Sequence, residues 1–155
     1  MTSVITRYRD PRNDMPFAWY DVPGSGTLSI SDWQYFTDQG LYIFDAIIVL
    51  FDNRFTATDV AILRNCARFQ ISAYIVRSKV SQHIDNMVSD LGGDDLEDNE
   101  CAVLKAKARE QSISKTRASV VHNLQKAELP EQRVYLADSG TLARTVKATR
   151  KGAIR

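Results

Sequence analysis

The strongest hydrophobic signal lies mid-chain. Ala46 to Phe51 is an unbroken apolar run rich in β-branched residues, which predicts a strand covered on both faces. Ile71 to Val76 repeats the pattern. Between them, Thr56-Ala57-Thr58-Asp59 reads as a capping box, with Thr56 as the cap and Asp59 in the third helical position. Val60, Leu63 and Ala67 follow at helical spacing and predict a helix over Asp59–Arg68. Lys79–Leu91 predicts another helix, stopped by Gly92-Gly93. A long amphipathic helix with Ile113, Val120, Val121 and Leu124 on one face ends at Leu129-Pro130. Val134–Leu136 is then a last strand and Thr141–Thr149 a last helix.

Towards the amino terminus, Val4–Tyr8 and Phe17–Tyr20 predict short strands joined by a polar turn through Asp10, Pro11, Asn13 and Asp14. Asp21-Val22-Pro23-Gly24 breaks the second strand, since proline lacks a ladder donor. Ser31 caps a short helix through Phe36 that Gly40 ends. Strands alternating with helices predict an α/β domain, a mostly parallel sheet with helices on both faces. Ligands of such sheets bind at the carboxyl ends of strands, which singles out Asp21, Asp52, Arg77 and Ala137.

Composition narrows the reading without redirecting it. A chain of 155 residues holds one domain with a sizeable core. A net charge of +1 gives no bulk reason to expect nucleic acid or an anionic membrane as partner. Cys66 and Cys101 sit in helix-like, mainly apolar patterns and read as buried reduced thiols, hence a cytoplasmic protein. Met1 to Asp14 has no apolar signal core, and the longest apolar stretch, Leu41 to Phe51, is far below a membrane span. The acidic run Asp94–Glu100 reads as a solvated loop or the first turn of a helix. His83 and His122 lack metal-ligand spacing and read as surface or structural histidines. Ser25 and Ser139 sit in no nucleophile elbow, and Trp19 and Trp33 read as core-edge aromatics.

Two short constellations carry possible chemistry. Asp21 at a strand end can hold magnesium through water, and the Gly24 amide just beyond it can reach a terminal phosphate. The same four residues also make an ordinary strand-ending turn. After the Ile71–Val76 strand comes Ser78-Lys79-Val80-Ser81. GTPases carry Asn/Thr-Lys-x-Asp there: the lysine stem packs on base and sugar, and the aspartate takes two hydrogen bonds from guanine. Ser81 stands at the aspartate position, so the charge-assisted pair, worth about 1.5–3 kcal/mol per bond, is lost and guanine selectivity is in doubt.

The blocks Trp19-Tyr20-Asp21-Val22-Pro23-Gly24-Ser25-Gly26-Thr27, Asp32-Trp33-Gln34-Tyr35-Phe36 and Phe51-Asp52-Asn53-Arg54-Phe55 resemble the immunity-related (interferon-inducible) GTPase family, most closely its fungal members. The similarity runs from about Ile5 to Lys147. It implies a P-loop NTPase-type domain that binds GTP and GDP with Mg2+, hydrolyses GTP, and self-associates, often on intracellular membranes. By resemblance, Asp21 and Gly24 correspond to the phosphate- and magnesium-sensing motif. Ser78, Lys79 and Ser81 correspond to the base-binding motif, and Asp138 and Ser139 to the loop that touches guanine. Thr2 lies where the family carries its magnesium-contacting switch threonine, which makes Thr2 and Asp21 the implied metal contacts.

No Gly-x-x-x-x-Gly-Lys-Ser/Thr occurs in the sequence. Residues 1–155 are therefore expected to be a partial GTPase domain whose first strand and phosphate loop would precede Ile5. By the same resemblance, the family's membrane-linked flanking helices are expected to lie outside these residues. The resemblance places that first strand centrally, so the strands at Phe17–Tyr20 and Ala46–Phe51 should present unpaired edges. Much of the phosphate grip comes from that loop, so binding is expected to be weak and hydrolysis weak or inactive. No catalytic residue is identifiable. The alternatives are a pseudo-GTPase interaction module or an incomplete gene-model fragment.

Overall fold

The computed structural model describes residues 4–10, 17–24, 32–92 and 97–152, residues 32 and 147–152 by backbone alone. Its centre is a parallel sheet of β3 (Ala46–Phe51), β4 (Ser72–Arg77) and β5 (Val134–Leu136), in that spatial order. Ala46 pairs with Ser72 and Phe51 with Arg77, while Ile75 pairs with Val134 and Arg77 with Leu136. A separate antiparallel hairpin joins β1 (Thr6–Arg9) to β2 (Ala18–Asp21), with Thr6 opposite Asp21. β2 and β3 lie in different sheets, and among the described residues β3 pairs on one side only. The strands agree with the sequence pattern to within two residues, and β3 and β5 agree at both ends.

The helix α2 (Ala57–Phe69) starts where the capping box predicts. Thr56 Oγ1 accepts from the Asp59 amide at 3.3 Å, and the Asp59 carboxylate accepts from the Thr56 amide at 2.7 Å. It ends at Gln70, whose left-handed backbone (φ 57°) lets the Ile71 amide reach back to the Cys66 carbonyl at 2.9 Å. Its inner face carries Val60, Ala61, Leu63 and Cys66. α3 (Val80–Asp90) and α4 (Asp98–Lys126) follow β4, and α5 (Ser139–Gly152) follows β5. α4 closes three residues before the expected Leu129, because Glu128 turns left-handed (φ 56°) and the Leu129 amide caps the Leu124 carbonyl at 3.0 Å.

Sequential strand order with crossovers of one hand puts successive connections on the same side of a sheet. Accordingly Val60 and Leu63 of α2 and Val120 and Leu124 of α4 share one core with Val49, Phe51, Ile75 and Val134. A second cluster of Tyr35, Phe36, Leu41 and Cys66 adds α1 (Asp32–Asp38) to that side. The expectation of helices on both faces is corrected here. Across the sheet, Ile48 is 48% and Leu50 63% exposed, beside exposed Tyr74 and Tyr135, and α5 leaves Leu142 and Val146 in water. β3 is therefore apolar throughout but buried on alternate residues only.

The hairpin is tied on by the Tyr35 hydroxyl, which donates to the Pro23 carbonyl at 2.7 Å, and by the Tyr20–Phe44 ring contact. Trp33 is half-exposed, stacked on Phe69 with the Arg68 guanidinium 5.1 Å from its ring centre, as a core-edge aromatic should be. Both cysteines are free; Cys66 is buried and its thiol is pushed up to about 11 by that burial, while Cys101 is only partly covered. Among the described residues no helix is long and apolar enough to cross a membrane.

Truncating Leu124, which is fully buried, is expected to cost about 3 kcal/mol, since the cavity adds to the lost transfer energy. Leu50→Ala on the open face is expected to cost no more than about 0.5 kcal/mol. Urea unfolding of the two variants followed by circular dichroism measures the difference, and equal losses would mean that the open face is covered.

Candidate functional site

The carboxyl ends of β3, β4 and β5 are stitched together. The Ser78 amide and hydroxyl both donate to the Phe51 carbonyl, at 2.8 and 3.2 Å. The Ala137 amide donates to the Arg77 carbonyl at 2.8 Å, and the Val80 amide to the Ala137 carbonyl at 3.5 Å. Three loops thus meet on one rim, and Ser78, Lys79, Ser81, Asp138 and Ser139 all lie on it.

Lys79 occupies the cap position of α3 with a left-handed backbone, φ 52° and ψ 33°. That conformation turns its side chain back towards β3. Its ammonium donates to Asp52 Oδ2 at 2.7 Å, and His83 Nε2 lies 2.6 Å from Asp52 Oδ1. The Lys79 and, next, the His83 hydrogen bonds hold the Asp52 carboxyl below its ordinary value. Lys79 and Asp52 are both well exposed, so the contact is a surface pair open to solvent.

Asp138 caps α5, accepting from the Gly140 amide at 3.0 Å and the Thr141 amide at 3.4 Å. The Ser81 hydroxyl and amide also act on this carboxyl. Burial pushes this carboxyl up, but the Ser81, Thr141 and Gly140 donors outweigh it and leave it below its ordinary value. Ser81, which stands where a carboxylate is expected, therefore lies beside one. Ser139 opens α5 and is exposed.

Arg77 closes the inner side of the rim. Its Nε donates to the Asp52 carbonyl at 3.2 Å, and its Nη1 to the hydroxyls of Thr116 and Ser112 on α4, the latter at 3.5 Å. Burial pulls the guanidinium down, opposed by the nearby Asp52 charge.

Asp21 and Gly24 are not part of this rim; they close β2 on the hairpin. A side chain at Gly24 would meet nothing within 4 Å, so no close approach requires glycine there. Thr2 lies outside the described residues, as do Ser25, Gly26 and Ser31. Among the described residues no three His, Cys, Asp or Glu side chains gather to hold a metal ion. The single carboxylate of Asp21 suits magnesium only where phosphate oxygens and water complete the shell.

The sequence reading placed Asp52 at a strand end without naming its partners and took His83 as a surface or structural residue. The available signal was spacing: Lys79 and His83 are four apart and so share a helix face, opposite the carboxylate that ends β3. Ser112 and Thr116 give no comparable signal. Their four-residue spacing continues the buried stripe of Ala108, Val120 and Leu124, but as polar residues they do not register in an apolar pattern.

The model of the interferon-inducible GTPase family matches residues 1–143, nearly the whole chain, with the rim and both sheets included. The chain belongs to the interferon-inducible GTPase family. Its mouse (Mus musculus) relatives T-cell-specific guanine nucleotide triphosphate-binding proteins 1 and 2 are each 28% identical to it over 85 residues. Those residues are 55% of this chain and 20% of either relative, so the match spans about a fifth of their length. The mixed α/β architecture with its three parallel strands is consistent with a GTPase-like domain of that family.

The acidic limb of stability tests the Asp52 arrangement. A carboxyl held low in the folded state stabilises the fold above its unfolded value, about 3.9, and that contribution is lost as pH falls through the folded value. In carboxylate carbon NMR, Asp52 should titrate below ordinary aspartates. Lys79→Ala should raise its midpoint most and His83→Ala less, while an unmoved midpoint would show the contacts are not formed in solution.

Proposed function

We propose that this rim is the base-and-sugar half of a guanine-nucleotide site. The observation that supports it is the placement of Lys79, Ser78, Ser81 and Asp138 on adjoining strand ends of a chain belonging to the interferon-inducible GTPase family. In this reading the Lys79 methylenes pack along base and sugar. Ser78 fixes the loop, and the Asp138–Ser139 turn lies at the edge of the base. On the hairpin, Asp21 serves the magnesium shell and Gly24 the terminal phosphate, with Thr2 as a further magnesium contact. GTP or GDP with Mg2+ is the ligand and GTP hydrolysis the ancestral chemistry. Hydrolysis by these 155 residues is weak or absent, since they contain no glycine-lysine phosphate loop. Free cysteines fit a cytoplasmic setting.

A second reading, a non-enzymatic interaction module that self-associates, draws on the apolar open face of Ile48, Leu50, Tyr74 and Tyr135. Such a face is unusual for a monomer in water.

Isothermal titration with GTP and Mg2+ tests the first reading. Wild-type chain should bind, and Lys79→Ala should abolish the heat while leaving the circular dichroism unchanged. No heat at millimolar GTP overturns it. Light scattering after size exclusion tests the second: a nucleotide-independent dimer supports the interaction module, and a monomer at all concentrations excludes it.

A further inference from the structure

A second candidate site lies behind the rim, independent of the nucleotide reading. It is a pocket of about 200 Å³ between the carboxyl ends of β3 and β4 and the α3–α4 pair. Its polar lining is Asn53, Arg77, Lys115 and the hydroxyl residues Ser112, Thr116 and Ser119. Its apolar wall is Phe51, Phe55 and Met87. Among the described residues no carboxylate lines it.

The charge balance of this pocket is one-sided. Arg77 is partly buried, and among the described residues no carboxylate forms an ion pair with it. Its protein partners are neutral oxygens, the Asp52 carbonyl and the Thr116 and Ser112 hydroxyls. Asp52, whose charge reaches Arg77, is bonded instead to Lys79 and His83. Lys115 adds a second cation at the exposed lip. A partly buried guanidinium facing neutral acceptors gains from an anion, because charge-assisted bonds are roughly twice as strong as neutral ones. The aromatic wall adds surface that water covers poorly.

We propose that this pocket binds a small organic oxyanion, a carboxylate or phosphate ester carried on an apolar body, with Arg77 and Lys115 as its cationic contacts. The oxyanion sits between the guanidinium and the Lys115 ammonium, accepts from Ser119 and Asn53, and lays its apolar part on Phe51, Phe55 and Met87. The volume admits a single ring with its headgroup.

The test is an amide-detected NMR titration of the full chain with phenyl phosphate, benzoate and, as the uncharged body, benzyl alcohol. Both anions should shift Ser112, Thr116 and the Arg77 side-chain Nε–H, and benzyl alcohol should bind far more weakly. The tighter of the two anions identifies the headgroup class. Arg77 also ties β4 to α4, so the exposed Lys115 carries the mutational arm: Lys115→Gln should weaken the anions about fivefold with the fold intact. Arg77→Lys, which keeps the charge but loses the planar fork, should weaken them about tenfold. The proposal is overturned if benzyl alcohol binds as well as benzoate, if the shifts centre on Lys79 and His83 instead, if Lys115→Gln leaves affinity unchanged, or if no shift appears at millimolar anion.

Discussion

Three parallel strands can present a common rim only if they end at the same level, and two backbone hydrogen bonds set that level. Ser78 donates to the Phe51 carbonyl and Ala137 to the Arg77 carbonyl, each at 2.8 Å. Each bond continues a ladder one residue past the last pair of the strands it joins. Everything placed at the rim inherits its position from them. Lys79 and Ser81 follow Ser78 directly, and Asp138 follows Ala137. Ile75, fully buried three residues earlier, anchors the central strand beneath. Site geometry therefore depends on the core through β4 more than through either neighbour.

The long helix α4 shows how the site and the core trade against each other. Its buried stripe runs Ala108, Ser112, Thr116, Val120 and Leu124 at intervals of four. The carboxyl-terminal half packs hydrophobically on β4 and β5, but the middle is polar because it receives Arg77. Replacing Ser112 and Thr116 by apolar residues would leave the guanidinium only the Asp52 carbonyl and strand its Nη1 donors, which costs more than the apolar area returns. The Thr116 hydroxyl also bonds back to the Ser112 carbonyl at 2.7 Å, so both ends of the contact are satisfied within the helix. A partly polar core is the consequence of ending a central strand in arginine.

Elements were more legible in the sequence than layers were. The capping box at Thr56 and Asp59 fixed the start of α2, and the apolar run fixed β3 at both ends, because each depends on residues close in the chain. That β3 is open on one face was not legible. A continuous apolar run reports that side chains are hydrophobic, not that something covers them, and coverage depends on which side the connections cross. At the site, Lys79 and Ser78 were found through a motif. Asp52 and His83 were not read as their partners, since a contact between residues 27 or 31 positions apart leaves no periodic trace. The Ser81–Asp138 contact escaped for the same reason, although it places a carboxylate beside the position where the motif lacks one.

What the fold has prepared at Lys79 is its backbone, not its charge. The Lys79–Asp52 pair joins two exposed groups, and such pairs contribute only about 0–1 kcal/mol. A ligand that needs the ammonium, or merely the stem beneath it, displaces that contact at little cost. The left-handed backbone is different. For a residue with a Cβ it costs about 1–3 kcal/mol, and it persists because the surrounding structure holds it. Here the bonds of Ser78 to β3 and of Val80 to Ala137 fix the residues on either side. The strain is thus already met in the folded chain, so the stem is aimed before any ligand arrives. Neither the pair nor the strain supplies the phosphate grip. On the proposed nucleotide reading, the rim is accordingly preorganised for the planar, sugar-side part of the ligand, and the phosphates fall to residues elsewhere.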